Sequence, residues 1–181
     1  MRIIAGSARG TRLGPVPAGT RPLSDRAREG LFSHLGATVA GARCLDLFGG
    51  TGAVGIEALS RGAETCVFVE KSPRAVRTIR DNLSKTGLSE RSEVVRRDVG
   101  RYLEGDRDDR FDIVFADPPY RLGAAALRRI VAKAAERVES SGIMVLTRPA
   151  ADDADVIPVH WALTKLLAYG DTHVLVCREG A

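Results

Sequence analysis

Short apolar runs alternate with longer amphipathic stretches from Arg43 to the end of the chain. Runs of this length, rich in β-branched and aromatic residues, are typical of buried strands, and apolar positions three or four apart in the stretches between them indicate helices. Such alternation predicts βαβ units, in a mostly parallel sheet with helices on both faces. The third run is followed by a polar loop instead of a helix. The five runs are CLDLF, CVFVE, EVVRRDV, FDIVFADPPY and IMVLTRP.

Two more candidate strands close the chain, HWALTKLLAYGD and THVLVC, joined by Gly170 and Asp171. A connection this short makes them antiparallel neighbours. The pattern therefore predicts an α/β, Rossmann-like sheet of seven strands, mostly parallel, with a C-terminal antiparallel hairpin.

A single helix is predicted ahead of this sheet. Ser24 or Asp25 can cap it, and it ends near Gly36. Its apolar positions recur every four residues, at Leu23, Ala27, Leu31 and Leu35.

Length and composition limit the organisation of the chain. With 181 residues, 44% of them hydrophobic and 28% charged, it can form one domain with its own core. We expect a basic arm and helix over residues 1–40 and the main domain over 41–181. We also expect a monomer in the cytoplasm, since no apolar window could span a membrane and the N-terminus does not resemble a signal peptide. The cysteines and histidines lack metal-ligand spacing, so no metal is expected; Cys44, Cys66 and Cys177 adjoin apolar runs and are expected to be buried.

The positive charge is concentrated at the N-terminus. Residues 1–30 hold six arginines and two carboxylates, which accounts for the whole formal charge of +4. Arginine pairs well with phosphate, so this arm suits a nucleic-acid backbone. A solvated surface is the alternative, because arginine is the main basic residue throughout the chain. The candidate RNA-binding residues are Arg2, Arg9, Arg12, Arg21 and Arg26.

A glycine-rich loop follows the first strand of the sheet. Gly50, Gly52 and Gly55 form a G-x-G-x-x-G pattern, and Glu70 closes the second strand, where it can accept both hydroxyls of a ribose. Dehydrogenases bind NAD with the same geometry. Asp46 favours another ligand, because a carboxylate beside the glycines repels a pyrophosphate but attracts a cationic amino-acid end such as that of S-adenosylmethionine.

A third carboxylate, Asp98, closes the third strand and can accept a hydrogen bond from an adenine amine. Carboxyl ends of parallel strands meet at one edge of an open sheet, where ligands bind. The candidate cofactor site comprises Asp46, Gly50, Gly52, Glu70, Lys71, Asp98 and Val99.

The fourth strand ends in a rigid polar tetrapeptide, Asp117, Pro118, Pro119 and Tyr120. The Asp117 carboxylate and the Pro118 carbonyl are two acceptors on stiffened backbone, suited to the exocyclic amine of a base. Holding that amine would direct its nitrogen lone pair at a methyl group, and Asp117 could take the released proton. Tyr120 could stack on a base drawn out of its helix. These four residues are the candidate catalytic group.

Several motifs together resemble a known family, the RsmD-type methyltransferases that act on guanine N2 in small-subunit ribosomal RNA. They are RIIAGSARGTRL, RPLSDRAREGLF, DLFGGTGAVGIEALSRGA, FVEKS, RRDV, ADPPY and YGDT. The resemblance implies S-adenosylmethionine as cofactor and, as target, guanine 966 of 16S ribosomal RNA within the small ribosomal subunit. It implies that Asp46 and the glycines hold the methionine portion, Glu70 the ribose and Asp98 the adenine. Leu23 and Arg148 depart from the family pattern.

Three other functions remain open from the residues themselves. A site of this kind also serves methylation of another amine, in DNA or protein, although the basic arm favours nucleic acid. An NAD-dependent oxidoreductase would use similar glycines. A non-catalytic RNA-binding assembly factor would keep the fold, but it would not need Asp117.

Overall fold

A computed structural model describes residues 1–15, 22–150 and 156–180 of the chain. Two short 3-10 turns, Gly36–Val39 and Ser89–Arg91, accompany the regular elements. The helices are α1 (Asp25–Leu35), α2 (Ala53–Ser60), α3 (Pro73–Thr86), α4 (Val99–Leu103) and α5 (Ala124–Ala135). The strands are β1 (Arg43–Leu47), β2 (Thr65–Glu70), β3 (Ser92–Arg96), β4 (Phe111–Ala116), β5 (Val138–Pro149), β6 (Trp161–Tyr169) and β7 (Thr172–Glu179).

All seven strands form one sheet in the order β3-β2-β1-β4-β5-β7-β6. The first five are parallel, whereas β7 runs antiparallel to both β5 and β6. The predicted fold class, including the C-terminal hairpin, is confirmed. Leu47 pairs with Val69 on one side and with Ala116 on the other, so β1, β2 and β4 end at one edge. The chain order reverses at β1, and such a switch point is where open α/β sheets bind ligands.

Helix boundaries follow the capping residues in the sequence. Ser24 accepts a hydrogen bond from the amide of Ala27 and begins α1, which ends at Gly36 as predicted. Ser72 caps α3 in the same way, and Gly87 ends that helix with a φ of +68°. Side-chain caps of this kind satisfy amides that have no partner within the helix.

The sheet carries a buried cluster on each face. One cluster packs α1, α2 and α3 against the sheet, and it includes Ile3 and Ala8 from the N-terminal segment. The other packs α4 and α5 and includes Trp161. Cys44, Cys66 and Cys177 are buried and free, as predicted. No helix in the described part of the chain is long and apolar enough to cross a membrane.

Two expectations about the middle of the chain were wrong. The residues after the third strand begin with a helix, α4, because Asp98 caps it and Tyr102 and Leu103 are buried beneath it. Strand β5 begins at Val138, earlier than the apolar run that predicted it, and its register against β4 shifts between Phe111 and Ile113. A polar stretch at the start of β5 concealed its extent.

Residues 1–15 form a small hairpin that lies on α2. Arg2 and Arg12 make an antiparallel bridge, and the amide of Ile3 donates to the carbonyl of Thr11 at 3.0 Å. On the other side, the amide of Ser7 donates to the carbonyl of Ser60 at 2.8 Å. We call residues 1–15 the N-terminal hairpin.

Candidate active site

The loop between β1 and α2 turns tightly at the switch point. Phe48 has a φ of +63° and Gly52 a φ of +76°, which favours glycine at the second position. A Cβ atom built on Gly52 would lie 3.1 Å from the Ile56 side chain and 3.3 Å from that of Ile79. The loop therefore packs closely on α3, and its conformation requires glycine.

A buried asparagine supports this loop from behind. Asn82, on α3, is fully buried. Its side-chain amide donates to the carbonyl of Thr51 at 2.8 Å, and its side-chain oxygen accepts from the amide of Gly14 at 2.7 Å. One weak signal for it can be found in the sequence, a polar residue on the same helical face as Ile79 and Leu83. It connects the loop to the N-terminal hairpin.

Asp46 is the most deeply buried carboxylate of the site. It is 4% exposed, and one carboxylate oxygen accepts a hydrogen bond from the amide of Gly55 at 3.0 Å. Burial, together with the nearby charges of Asp117 and Glu70, raises the pKa of Asp46 to about 8, against the lowering effect of the Gly55 hydrogen bond. A cationic group bound here would stabilise the ionised form.

Glu70 accepts hydrogen bonds from two backbone amides, one in the glycine loop after β1 and one at the residue that caps α3. One oxygen accepts from the amide of Gly50 at 3.1 Å, and the other accepts from the amide of Ser72 at 2.7 Å. Each carboxylate oxygen has more than one acceptor direction, so a ribose hydroxyl can still donate to it. The adjacent Lys71 is exposed.

Asp98 has a structural role in the protein as described. Its side chain accepts from the amide of Arg101 at 3.3 Å and caps α4. Asp98 is exposed, whereas the neighbouring Val99 is buried. Binding of adenine by these two residues stays a prediction.

Asp117 lies directly after β4, and β4 pairs with β1. Its amide donates to the carbonyl of Leu47 at 3.4 Å, which ties the tetrapeptide to the end of β1. Burial raises the pKa of Asp117 to about 7. Pro118 is buried and Pro119 is exposed. The carboxylates of Asp117 and Asp46 thus share one region of the site, as each predicted strand end implied.

Tyr120 is the accessible aromatic residue of the tetrapeptide. It is 39% exposed, and its phenol oxygen lies 3.2 Å from the hydroxyl oxygen of Thr172 at the start of β7. The sequence motif that contains Thr172 contributed to the resemblance, but no role was predicted for that residue. A hydroxyl opposite a distant tyrosine leaves no local signal in a sequence.

Four of the candidate RNA-binding arginines lie in the described residues, and Arg21 lies outside them. Arg2, Arg9 and Arg12 are exposed on the N-terminal hairpin, and Arg26 is exposed in the first turn of α1. The structure brings Arg2, Arg9 and Arg26 together around one cleft of about 370 Å³, between the hairpin and α1. The lining residues are Arg2, Ile3, Ile4, Arg9, Gly10, Asp25, Arg26 and Glu29.

The chain is similar to proteins named as ribosomal RNA methyltransferases. A model of the family described as conserved hypothetical protein 95 matches residues 1–178. The chain is 33% identical over 182 residues to "Putative rRNA methyltransferase YlbH" of Bacillus subtilis, covering 99% of each. It is 40% identical over 125 residues to "Ribosomal RNA small subunit methyltransferase D" of Escherichia coli, covering 68% of this chain and 62% of the relative.

Solved structures match along the whole chain. "Putative methyltransferase yhhF from Escherichia coli" is 30% identical with a TM-score of 0.85, covering 100% of this chain and 98% of that one. The Thermus thermophilus hypothetical protein TTHA0928 is 35% identical with a TM-score of 0.84, covering 98% of this chain and 99% of that one. The likeness confirms the fold as that of class I methyltransferases.

Proposed function

We propose a function from the fact that this chain belongs to the family of conserved hypothetical protein 95: it is an RsmD-type methyltransferase that moves a methyl group from S-adenosylmethionine to ribosomal RNA. The names of its relatives support the reaction and the substrate class. One structural observation carries the proposal. Two carboxylates with raised pKa values, the buried Asp46 and the partly buried Asp117, lie beside a tightly packed glycine loop at the switch point of the sheet.

The residues fit S-adenosylmethionine, whose sulfonium supplies an electrophilic methyl group and whose methionine end carries an ammonium. Asp46 would bind that ammonium, because the neighbouring charges that affect it, Asp117 and Glu70, are both negative. Gly50 and Gly52 would lie against the methionine portion, and Glu70 would accept from the ribose hydroxyls. Lys71, Asp98 and Val99 would surround the adenosine end.

The finer proposal concerns the acceptor, the N2 amine of guanine 966 in 16S ribosomal RNA. Asp117 and the Pro118 carbonyl would accept hydrogen bonds from this amine and orient its nitrogen for direct transfer. The amine becomes more acidic as it is methylated and must lose a proton. A carboxylate with a pKa near 7 is suited to accept it. Pro119 keeps the segment rigid, and Tyr120 would stack on the base.

The exposed arginines of the N-terminal hairpin and α1 would hold the RNA backbone. Their cleft also contains Asp25 and Glu29, so the surface is not uniformly positive. Binding by a few arginines around a shallow cleft suits recognition of RNA shape more than of sequence. An assembled small subunit is therefore the substrate we favour over free RNA.

The test is transfer of labelled methyl from S-adenosylmethionine to small subunits purified from cells that lack this methylation, with free 16S RNA in parallel. We expect label on one guanine N2. Asp117→Ala should lower turnover by about a thousandfold, because it loses both orientation of the amine and proton acceptance, which each contribute large factors. Its affinity for the cofactor should change by no more than about twofold.

Asp112→Ala is the matched control, because Asp112 lies on the same strand and pairs with Arg43 at the opposite edge of the sheet. It should keep full activity. Label on DNA or protein but not RNA would contradict the substrate, and label on another base atom would contradict guanine N2. Binding of nicotinamide cofactors instead of S-adenosylmethionine would overturn the reaction, and cofactor binding without any transfer would favour an assembly factor.

A further inference from the structure

The turn between β6 and β7 contacts two regions that the proposed function uses separately. It consists of Tyr169, Gly170, Asp171 and Thr172, and Gly170 has a φ of +61°. Tyr169 contacts α1, the helix that carries Arg26, at Gly30, and Thr172 contacts Tyr120 in the candidate catalytic group. The proposed function assigns no role to this turn.

The contact of Tyr169 with α1 depends on the absence of a side chain at Gly30. A Cβ atom built on Gly30 would lie 1.7 Å from the phenol oxygen of Tyr169, so the tyrosine occupies the space above that glycine. The amide of Ala150 donates to the carbonyl of Asp171 at 2.9 Å and ties the turn to the end of β5. The turn is therefore held by α1 on one side and by the sheet on the other.

The contact with Tyr120 lies at the end of this supported turn. Thr172 begins β7 and pairs with Pro149 of β5 and Tyr169 of β6, so its backbone position is fixed by two strands. Tyr120 follows two prolines after β4 and is 39% exposed. The 3.2 Å contact between their hydroxyl oxygens joins an exposed ring to a rigid point of the sheet.

We propose that Thr172 is a positioning residue for the target base: its hydroxyl holds the phenol of Tyr120, so that the ring presents its face to the base next to Asp117. This inference rests on the proposed function. A half-exposed tyrosine samples several side-chain rotamers, and fixing one of them before RNA binds removes an entropic cost from the productive complex. The turn supplies the fixed point.

The test is a double-mutant cycle on methyl transfer to the small subunit. Thr172→Val removes the hydroxyl and keeps the β-branched shape, and Tyr120→Phe removes the phenol oxygen and keeps the ring. Each should lower kcat/KM for RNA about fivefold, which is the range of one hydrogen bond. The double variant should also lose about fivefold, because both changes remove the same interaction. Affinity for S-adenosylmethionine should not change.

Two controls separate this role from a general effect on the hairpin. Thr172→Ser keeps the hydroxyl and should retain nearly full activity. Thr164→Val removes another threonine hydroxyl of the same hairpin, the one that donates to the carbonyl of Val176 at 2.9 Å, and should also be active. The inference is overturned if the losses of Thr172→Val and Tyr120→Phe multiply to about 25-fold, if Thr172→Val is fully active, or if Thr172→Ser is as impaired as Thr172→Val.

A second readout does not require activity. The chain has three tyrosines, so tyrosine labelled with ¹³C at the ring carbon that bears the hydroxyl gives three NMR signals, and Tyr120→Phe identifies one of them. Thr172→Val should shift that signal and Thr172→Ser should not. An unshifted signal overturns the inference. If Thr172→Val shifts the signal but the wild-type protein methylates no RNA, the proposed function is contradicted, and the role of Thr172 toward a base is rejected with it.

Discussion

Two regions of the molecule bury carboxylates, and they compensate the buried charge in opposite ways. Where the N-terminal hairpin meets α1 and α2, Glu57 is completely buried. Its oxygens accept from the amides of Ile4 at 2.8 Å and Ala5 at 3.1 Å, and they pair with Arg61 at 2.8 Å and with the buried Arg28 at 3.6 Å. Two cations and two backbone donors surround one carboxylate.

At the switch point, by contrast, Asp46 is buried with one amide donor among the described residues, and the charges that raise its pKa are both negative. A buried charge is costly unless it is paired. The compensated carboxylate is a structural element that holds the hairpin to the domain. The uncompensated one destabilises the folded state and favours binding of a cation, as the proposed site for a sulfonium and an ammonium would require. The two regions are distinguished by the surroundings of the carboxylates, since both carboxylates are buried.

The largest effect expected of a single substitution on stability is at the compensated pair. Glu57→Gln keeps the size of the side chain but leaves the buried guanidinium of Arg28 without its nearest buried counter-charge. We expect the free energy of unfolding to fall by about 4 kcal/mol, which is typical when one partner of a buried pair is removed. Denaturant unfolding of the cofactor-free protein at pH 7 measures it.

Glu64→Gln provides the matched control, because Glu64 is exposed just after α2. A surface change of this kind should alter stability by about 0.5 kcal/mol or less. If Glu57→Gln had an equally small effect, the ion pair would not hold the hairpin, and the contrast with Asp46 would lose its basis.

The next effect concerns pH and the uncompensated carboxylates. The folded-state pKa of Asp46, about 8, and that of Asp117, about 7, are raised above the usual value of 3.8. The folded state therefore binds more protons than the unfolded state between about pH 4 and pH 8. Stability is highest below the unfolded pKa and is lost as pH rises through the folded values. We expect the cofactor-free protein to lose several kcal/mol between pH 5 and pH 8, because each of the two carboxylates contributes about 1.4 kcal/mol for every pH unit below its folded pKa.

Asp46→Asn should be less dependent on pH and more stable at pH 8 than the wild type, because an amide can accept from Gly55 without carrying a charge. It should bind S-adenosylmethionine about tenfold or more weakly, since it loses an ion pair with the ligand. Saturating cofactor should flatten the pH dependence of the wild type. Stability that rises between pH 5 and pH 8 would contradict the assignment of an uncompensated site.

The contrast also explains what the sequence could predict. Strands and helices followed from apolar runs and from a capping residue such as Ser24, which acts locally. The site followed from carboxylates at strand ends, because parallel strands bring Asp46 and Asp117 to one edge whatever the details of packing. Short-range patterns and topology were enough for these features.

Long-range contacts were not predictable in this way. Glu57 occupies a position in α2 that the sequence does not distinguish from a solvated one, because its amide donors lie 53 and 52 residues away. Thr172 and Tyr120 are separated by 52 residues. The short helix α4 was missed because its five residues are too few to show a period. Polar partners that are distant in the chain therefore emerged only with the three-dimensional structure.

The smallest expected effect separates two kinds of arginine in the region of the N-terminal hairpin. Arg28 is buried and pairs with Glu57, whereas Arg9 and Arg12 are exposed. Replacing Arg9 and Arg12 together with alanine should leave the free energy of unfolding within about 0.5 kcal/mol of the wild type. Affinity for the RNA should fall about tenfold, and the slope of log K against log salt should become shallower by about 1.4, at roughly 0.7 for each lost phosphate contact.

Arg110→Ala combined with Arg129→Ala removes the same charge from other exposed positions: Arg110 precedes β4 at the far edge of the sheet, and Arg129 lies on α5 near Glu104. Because the net charge falls equally in both double variants, a general electrostatic attraction would weaken RNA binding equally in both. Direct phosphate contacts predict that only the Arg9 and Arg12 variant has a shallower salt slope. Equal slopes would remove the hairpin from the RNA interface and leave Arg28 and Glu57 as a purely structural anchor of residues 1–15.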